Sequence, residues 1–230
     1  MRNDNSRKQR WTDFDAETYQ KGTGSYADEV DSEIVREFVS GGDTGWVLDL
    51  PCGSGRLYRI LAEKGRAVGA DYSPTMLEVA VRQPGFCGVR CDAFRLPFRD
   101  GCFARTVCLR LSFHYEDWDV ILGEVARVTS SEGQILFDTL GRGSLRWLLS
   151  RPLDLLRRTG SQAVVFRSRR QVESFVHGAG LDVVVVRSRF LLPTRAYQWL
   201  PKALCRLLSW IEHAVPNRFR VVTYWQIAKR

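Results

Sequence analysis

Apolar and polar positions switch period along the chain, and the switches divide it. Val30, Ile34, Val35, Phe38 and Val39 recur at helical spacing, and Gly41-Gly42 close that helix. A strand–helix alternation follows. Trp46-Val47-Leu48-Asp49-Leu50 is a short apolar run, read as a buried strand, and Leu57, Ile60, Leu61 and Ala62 mark a helix that ends by Gly65. Ala67-Val68-Gly69-Ala70-Asp71 predicts a second strand. Ser73-Pro74 then opens a helix with a capping side chain and a proline at the first position, where a missing N–H does no harm. Strands are predicted over 86–91, 104–109 and 134–138, with a helix over 118–129. Such alternation implies a parallel sheet covered by helices on both faces.

Beyond residue 140 the rhythm changes. A Leu/Trp/Arg-rich stretch over 141–167 is interrupted by Pro152 and includes Leu145, Trp147, Leu148, Leu149, Leu153, Leu155 and Leu156. A helix over 168–178 starts with the capping-box pair Ser168 and Gln171. A strand over 181–189 carries four consecutive valines. A helix is predicted over 197–215, where Leu200, Leu204, Leu207, Leu208, Ile211 and Val215 form an apolar stripe, and a last strand over 221–228. Residues 1–10 read as a disordered basic tail and 11–230 as one domain.

Charge follows the same division. The 230 residues carry a net charge of +8. Residues 1–140 hold 17 Lys/Arg against 22 Asp/Glu, and residues 141–230 hold 17 against 4. Basic surface suits nucleic acid, anionic lipid or an acidic substrate, although 29 of the 34 basic residues are arginine, which equally suits solvated faces. The six cysteines include no C-x-x-C pair and the three histidines are isolated, so no metal site is expected. The polar N-terminus lacks the apolar core of a signal peptide, no apolar run reaches the length of a membrane span, and a cytoplasmic location is expected.

The segment richest in chemistry is Asp49-Leu50-Pro51-Cys52-Gly53-Ser54-Gly55-Arg56. A buried strand ends in an acid, and two glycines let the backbone turn sharply and approach a ligand before a helix begins. A dinucleotide fingerprint would require a third glycine where Tyr58 stands, and a P-loop would require Gly-Lys-Ser/Thr. An acid at this position suits a cationic ligand.

Residues 47–55 resemble the first motif of the class I S-adenosylmethionine-dependent methyltransferases, in particular the ubiquinone/menaquinone-biosynthesis type, with Pro51 in place of a glycine. Residues 68–77 resemble the second motif, residues 90–98 the third, and residues 124–134 the helix and turn into the fifth strand. The resemblance implies a Rossmann-like, doubly wound α/β sheet of seven strands, six parallel and the last antiparallel, with helical insertions. It implies S-adenosylmethionine as cofactor, with residues 45–140 as its core. Asp49 would order the amino-acid end, Asp71 the ribose hydroxyls, and Asp92 and Ala93 the adenine. Pro51, Gly53, Gly55, Tyr72, Met76, Leu109 and Tyr19 would complete the cofactor site, with Tyr19 in a lid segment that includes Trp11 and Phe14, and with Tyr19 and Tyr26 as candidate contacts of cofactor or substrate. His114 is the candidate general base, and Arg110 and Tyr115 are candidate substrate contacts. The amino-group signature Asn/Asp-Pro-Pro-Tyr is absent near Leu109. Segments 141–167 and 191–220 would cover the methyl acceptor, and their leucine stripes favour a small apolar or amphiphilic molecule over RNA, so a small hydrophobic or anionic metabolite is the expected acceptor. RNA or protein substrates, and a non-catalytic cofactor-binding role, remain the alternative readings. A peripheral contact with an anionic membrane is a further expectation for the 197–215 stripe, against packing on the domain or a dimer contact.

Overall fold

The computed structural model describes residues 25–41, 45–144, 146–148 and 164–230. Tyr19, the tail and most of the 141–167 insertion lie outside the described residues. The strands are β1 (Trp46–Asp49), β2 (Arg66–Asp71), β3 (Gly88–Arg90), β4 (Phe103–Cys108), β5 (Thr129–Gly141), β6 (Phe166–Arg167), β7 (Leu181–Arg189) and β8 (Val222–Lys229). The α-helices are α1 (Tyr26–Ser40), α2 (Tyr58–Ala62), α3 (Pro74–Ala80), α4 (Trp118–Val128), α5 (Arg169–Gly178) and α6 (Lys202–Glu212).

The sheet runs β3-β2-β1-β4-β5-β8-β7, with the two-residue β6 beside β5. Strands β1 to β6 pair in parallel, and β8 is antiparallel to both β5 and β7. The expected seven strands are therefore present with the expected orientation. β6 is an eighth, and two residues are too few to show any periodicity. Two irregularities mark the ladder. Residues 130–133 of β5 have no partner in the β4 register, so regular pairing resumes at Gln134, where the sequence pattern begins the strand. On β7, Val183 pairs Ile227 and Val185 pairs Gln226, leaving Val184 as an extra residue.

Successive strand residues point to opposite faces, so two cores form. Leu48, Val68, Cys108, Ile135, Phe137, Trp225 and Ile227 pack against Trp118, Ile121, Leu122 and Val125 of α4 and Val172 and Val176 of α5. Val47, Ala67, Val107, Leu136 and Tyr224 pack on the other face against Val30, Ile34, Val35 and Phe38 of α1 and Leu61 of α2. Burial on both faces is why the central strands read as continuous apolar runs.

Caps account for several helix starts. Ser73 Oγ accepts the Met76 N–H at the start of α3, and the Ser168/Gln171 capping box starts α5 as its sequence predicts. Ser25 and Asp28 form a second capping box at α1. The helix predicted over 197–215 is divided. A 3-10 turn covers Thr194–Gln198 and α6 begins after Pro201, whose ring holds the preceding residue out of the helical region. Its stripe is also turned differently from a packed helix: Cys205 and Glu212 are buried, whereas Leu204, Leu207, Trp210 and Ile211 are exposed.

Candidate active site

Between β1 and β4 the strand order reverses direction, and the C-terminal strand ends on either side of that point form a crevice. Asp49, Asp71, Asp92 and Leu109 stand at or just beyond the ends of β1, β2, β3 and β4, four strands adjacent in the sheet.

The glycine turn closes against its neighbours through specific contacts. Gly53 and Gly55 adopt φ of 54° and 80°, a left-handed region that side chains strain to enter. A Cβ at Gly55 would stand 2.4 Å from Nε2 of Gln83. That amide donates to the carbonyls of both Ser54 and Gly55 at 2.9 Å, so Gln83 braces the turn from beyond α3. The Leu50–Pro51 peptide is cis. Asp71 Oδ2 accepts the Gly53 N–H at 2.8 Å and Oδ1 the Ser73 N–H at 2.9 Å. Burial pushes the Asp71 carboxyl up against the pull of these backbone donors. Each oxygen retains a further lone pair.

Asp49 is only 2% exposed, and its Oδ2 has no hydrogen-bond partner. Burial drives its pKa up to about 7, opposed by Arg56 and reinforced by Asp71. A buried acceptor without a donor is costly in a folded protein. Nη1 of Arg56, one residue past the turn, is likewise buried without a hydrogen bond, although it lies 3.5 Å from Asp28. The unpaired Asp49 oxygen matches the ammonium of an α-amino acid, and Arg56 Nη1, ion-paired with Asp28 but short of a hydrogen bond, matches its carboxylate. The donor set therefore fits the amino-acid end of S-adenosylmethionine.

Beyond the end of β3, Asp92 Oδ1 accepts the Phe94 N–H at 3.0 Å in a tight turn, and Ala93 is partly buried beside it. Tyr72 lies under the Arg90 guanidinium, 5.7 Å from its ring centre. Met76 and Leu109 are buried, and Pro51 is half-buried.

Beyond β4 the chain enters a 3-10 turn, Ser112–His114. His114 is half-buried, with its ring 4.7 Å from that of Phe113, and Tyr115 meets Phe94 edge-on at 5.3 Å. Arg167 of β6 fastens this turn by donating to the carbonyls of Ser112, Tyr115 and Glu116, at 2.7, 2.5 and 3.2 Å. Burial lowers the Arg167 pKa to about 10.

Arg110 has a φ of 62°, and its N–H donates to Asp138 Oδ1 at 2.7 Å. Its guanidinium reaches Asp28 and Asp31 of α1, each at 2.6 Å. Arg56 also pairs Asp31 at 3.1 Å, and the Tyr224 hydroxyl donates to Asp31 Oδ1 at 2.5 Å. Burial would raise Asp28, but Arg110 and Arg56 hold its carboxyl below the usual range. Asp138 is pushed up to about 7 by burial, with Asp31 adding to the rise. Arg110, a candidate substrate contact in the sequence, is thus engaged in a clasp between α1 and the sheet. Asp28, Asp31, Arg56, Gln83, Asp138, Arg167 and Tyr224 were not marked by the motifs. Only the Ser25-x-x-Asp28 capping box, with Asp31 one turn on, left a trace in the sequence.

A doubly wound sheet with a glycine turn after β1, acids at consecutive strand ends and an antiparallel β8 is the architecture that class I S-adenosylmethionine-dependent methyltransferases share, and the chain is similar to them. Residues 48–137 match the family model described as a methyltransferase domain. The chain is 35% identical over 99 residues to a demethylmenaquinone methyltransferase of Thermus thermophilus, covering 39% of this chain and 44% of that one. It is 38% identical over 108 residues to a malonyl-[acyl-carrier protein] O-methyltransferase of Serratia marcescens, covering 44% and 41%. The chain thus spans less than half the length of the curated relatives it matches. Among solved structures, magnesium protoporphyrin IX methyltransferase from Synechocystis with bound SAH superposes with a TM-score of 0.71. That likeness covers 99% of this chain and all of the other at 12% identity, so it speaks for the fold alone.

Proposed function

We propose that the protein transfers a methyl group from S-adenosylmethionine to a small apolar or amphiphilic acceptor. The observation that carries this reading is the unpaired Asp49 carboxylate oxygen, buried beside the glycine turn with Arg56 Nη1 also short of a hydrogen bond. The cofactor supplies an activated methyl group on a sulfonium. The chain's own residues supply orientation, a dry site and a negative field. Asp49 would take the ammonium and Arg56 the carboxylate. Asp71, anchored by Gly53 and Ser73, would present its remaining lone pairs to the ribose diol, and the Asp92–Phe94 turn would border the adenine.

The acceptor would stand against the 3-10 turn held by Arg167, where Phe94, Phe113, His114 and Tyr115 offer an aromatic surface. His114 would accept a proton if the acceptor must lose one, and Tyr115 would border the acceptor. Residues 11–230 serve as one unit in this reading, with segments 141–167 and 191–220 toward the acceptor.

Titration calorimetry with S-adenosylmethionine tests the reading. Asp71→Ala should weaken binding at least about tenfold, as expected for lost hydrogen bonds to a charged group. His114→Gln should bind the cofactor as the parent does. Unchanged affinity in Asp71→Ala would overturn the assignment. An RNA acceptor would instead reveal itself by RNA affinity that falls steeply with salt.

A further inference from the structure

On α6 the side chains separate into three sectors when placed 100° apart around the axis. Cys205, Leu208 and Glu212 face the protein, Cys205 and Glu212 fully buried and Leu208 packed on the α1-side core. Lys202, Arg206, Ser209 and His213 form one edge. Ala203, Leu204, Leu207, Trp210, Ile211 and Ala214 form the third sector, and all six are exposed. Trp210 is 75% exposed, Leu207 50%, and Trp199, in the turn before the helix, 86%. An amphipathic helix packed on a domain turns its apolar face inward. Here the wide apolar sector faces outward, and the contact with the protein is narrow.

Within residues 191–220 the exposed charge is of one sign. Residues 191–220 hold Arg195, Lys202, Arg206, Arg218 and Arg220, and their one acid, Glu212, is buried, where it accepts the Phe190 N–H at 3.0 Å. Lys202 reaches Glu29 of α1 at 2.7 Å. An exposed apolar sector with two tryptophans and a cationic border is the pattern of a helix lying in a lipid headgroup layer. At 11 residues α6 is about 16 Å long, too short to cross a bilayer.

We propose that α6 and the turn before it form a docking surface for a bilayer containing anionic phospholipid. The charge selects this occupant: a second copy of the same surface would set cation against cation, whereas anionic headgroups complement it. The surface adjoins the candidate active site. Tyr197 stacks on Tyr26 at 5.7 Å, and Lys202 pairs Glu29, both at the start of α1, next to Asp28 and Asp31. Docking would thus set the start of α1, whose Asp28 and Asp31 pair Arg56 beside the glycine turn, close to lipid. Exposure and charge carry this inference without the methyl-transfer reading.

Flotation with vesicles of phosphatidylcholine, with and without phosphatidylglycerol, tests it on the full chain. The parent protein should float with the anionic vesicles, less so as salt rises. Arg206→Glu should lower partitioning roughly fivefold or more, and Leu207→Glu about tenfold or more. Val81→Glu, at an exposed position after α3, should leave it unchanged. Calorimetry with S-adenosylmethionine and circular dichroism on the same variants separate loss of docking from loss of fold or cofactor site. Absence of flotation by the parent, equal flotation with neutral vesicles, or a dimer in sedimentation that Leu207→Glu dissolves without vesicle binding would each overturn the proposal.

Discussion

Asp49 sets the proton count of the candidate site. Burial pushes its pKa up to about 7, so this carboxyl titrates in the neutral range rather than in acid. An ammonium placed against it favours the ionised form, so cofactor binding should release a fraction of a proton at pH 7. The release should fade above pH 8, and affinity should rise with pH up to that point. Calorimetry in buffers of differing ionisation enthalpy measures it, and Asp49→Asn should abolish the Asp49 share while weakening affinity. A proton count that Asp49→Asn leaves intact would show that another group carries it. Asp49 itself was legible in the sequence, because an acid before a glycine turn has few structural uses. Arg56 was not, because an arginine at a helix start is common and nothing local shows that two carboxylates from another helix approach it.

Helix α1 is held to the sheet at both ends. Arg105 of β4 donates to the carbonyl of Phe38 at 2.6 Å and to that of Gly41, and fastens the C-terminal end. Asp28 and Asp31 fasten the N-terminal end to Arg110, Arg56 and Tyr224. Removing one member of a buried ion network leaves the others uncompensated. Asp31→Ala should cost about 3 kcal/mol of stability, and amide exchange should speed up over 25–31 before it does at 36–40. Uniform acceleration across the helix would argue against the two-ended attachment. The elements themselves were largely legible: the strand–helix alternation located β1 to β5, and caps located α3 and α5. The 3-10 turn at Ser112–His114 and the strand β6 were not, because their conformations are set by Arg167 reaching back across more than fifty residues. The division of the 197–215 helix was foreshadowed by Pro201. The outward turn of its stripe was hidden, since periodicity reports a face and not what covers it.

At the scale of the whole molecule, buried acids give stability a pH dependence of known sign. Asp49 and Asp138, both pushed to about 7, keep their protons in the folded state where the unfolded chain has lost them. Their contribution is full below the ordinary carboxylate range and is lost as pH rises through 7. Asp28, Glu37 and Glu124 are held low by arginines, so their contribution is present above that range and lost in acid. Stability should therefore peak near pH 5 and fall toward pH 8, and urea midpoints across that range should decline. A flat or rising midpoint would show that Asp49 and Asp138 ionise in the fold without cost. The charge asymmetry of the sequence acquires a geometry at this scale. Acids concentrate at the strand ends around the glycine turn, while the basic region supplies the outward face of α6.

The extra residue on β7 bears on how the folded molecules behave toward each other. Among the described residues β7 is a nine-residue edge strand rich in valine, paired on one side with β8 and with its other row of backbone groups turned away. Flat edges of that kind invite sheet-to-sheet stacking and aggregation. Val184 interrupts the ladder midway, half-exposed, and twists the strand so that a second edge cannot run alongside it in register. The bulge at Val184 is thus expected to oppose edge-to-edge association of folded molecules in concentrated solution.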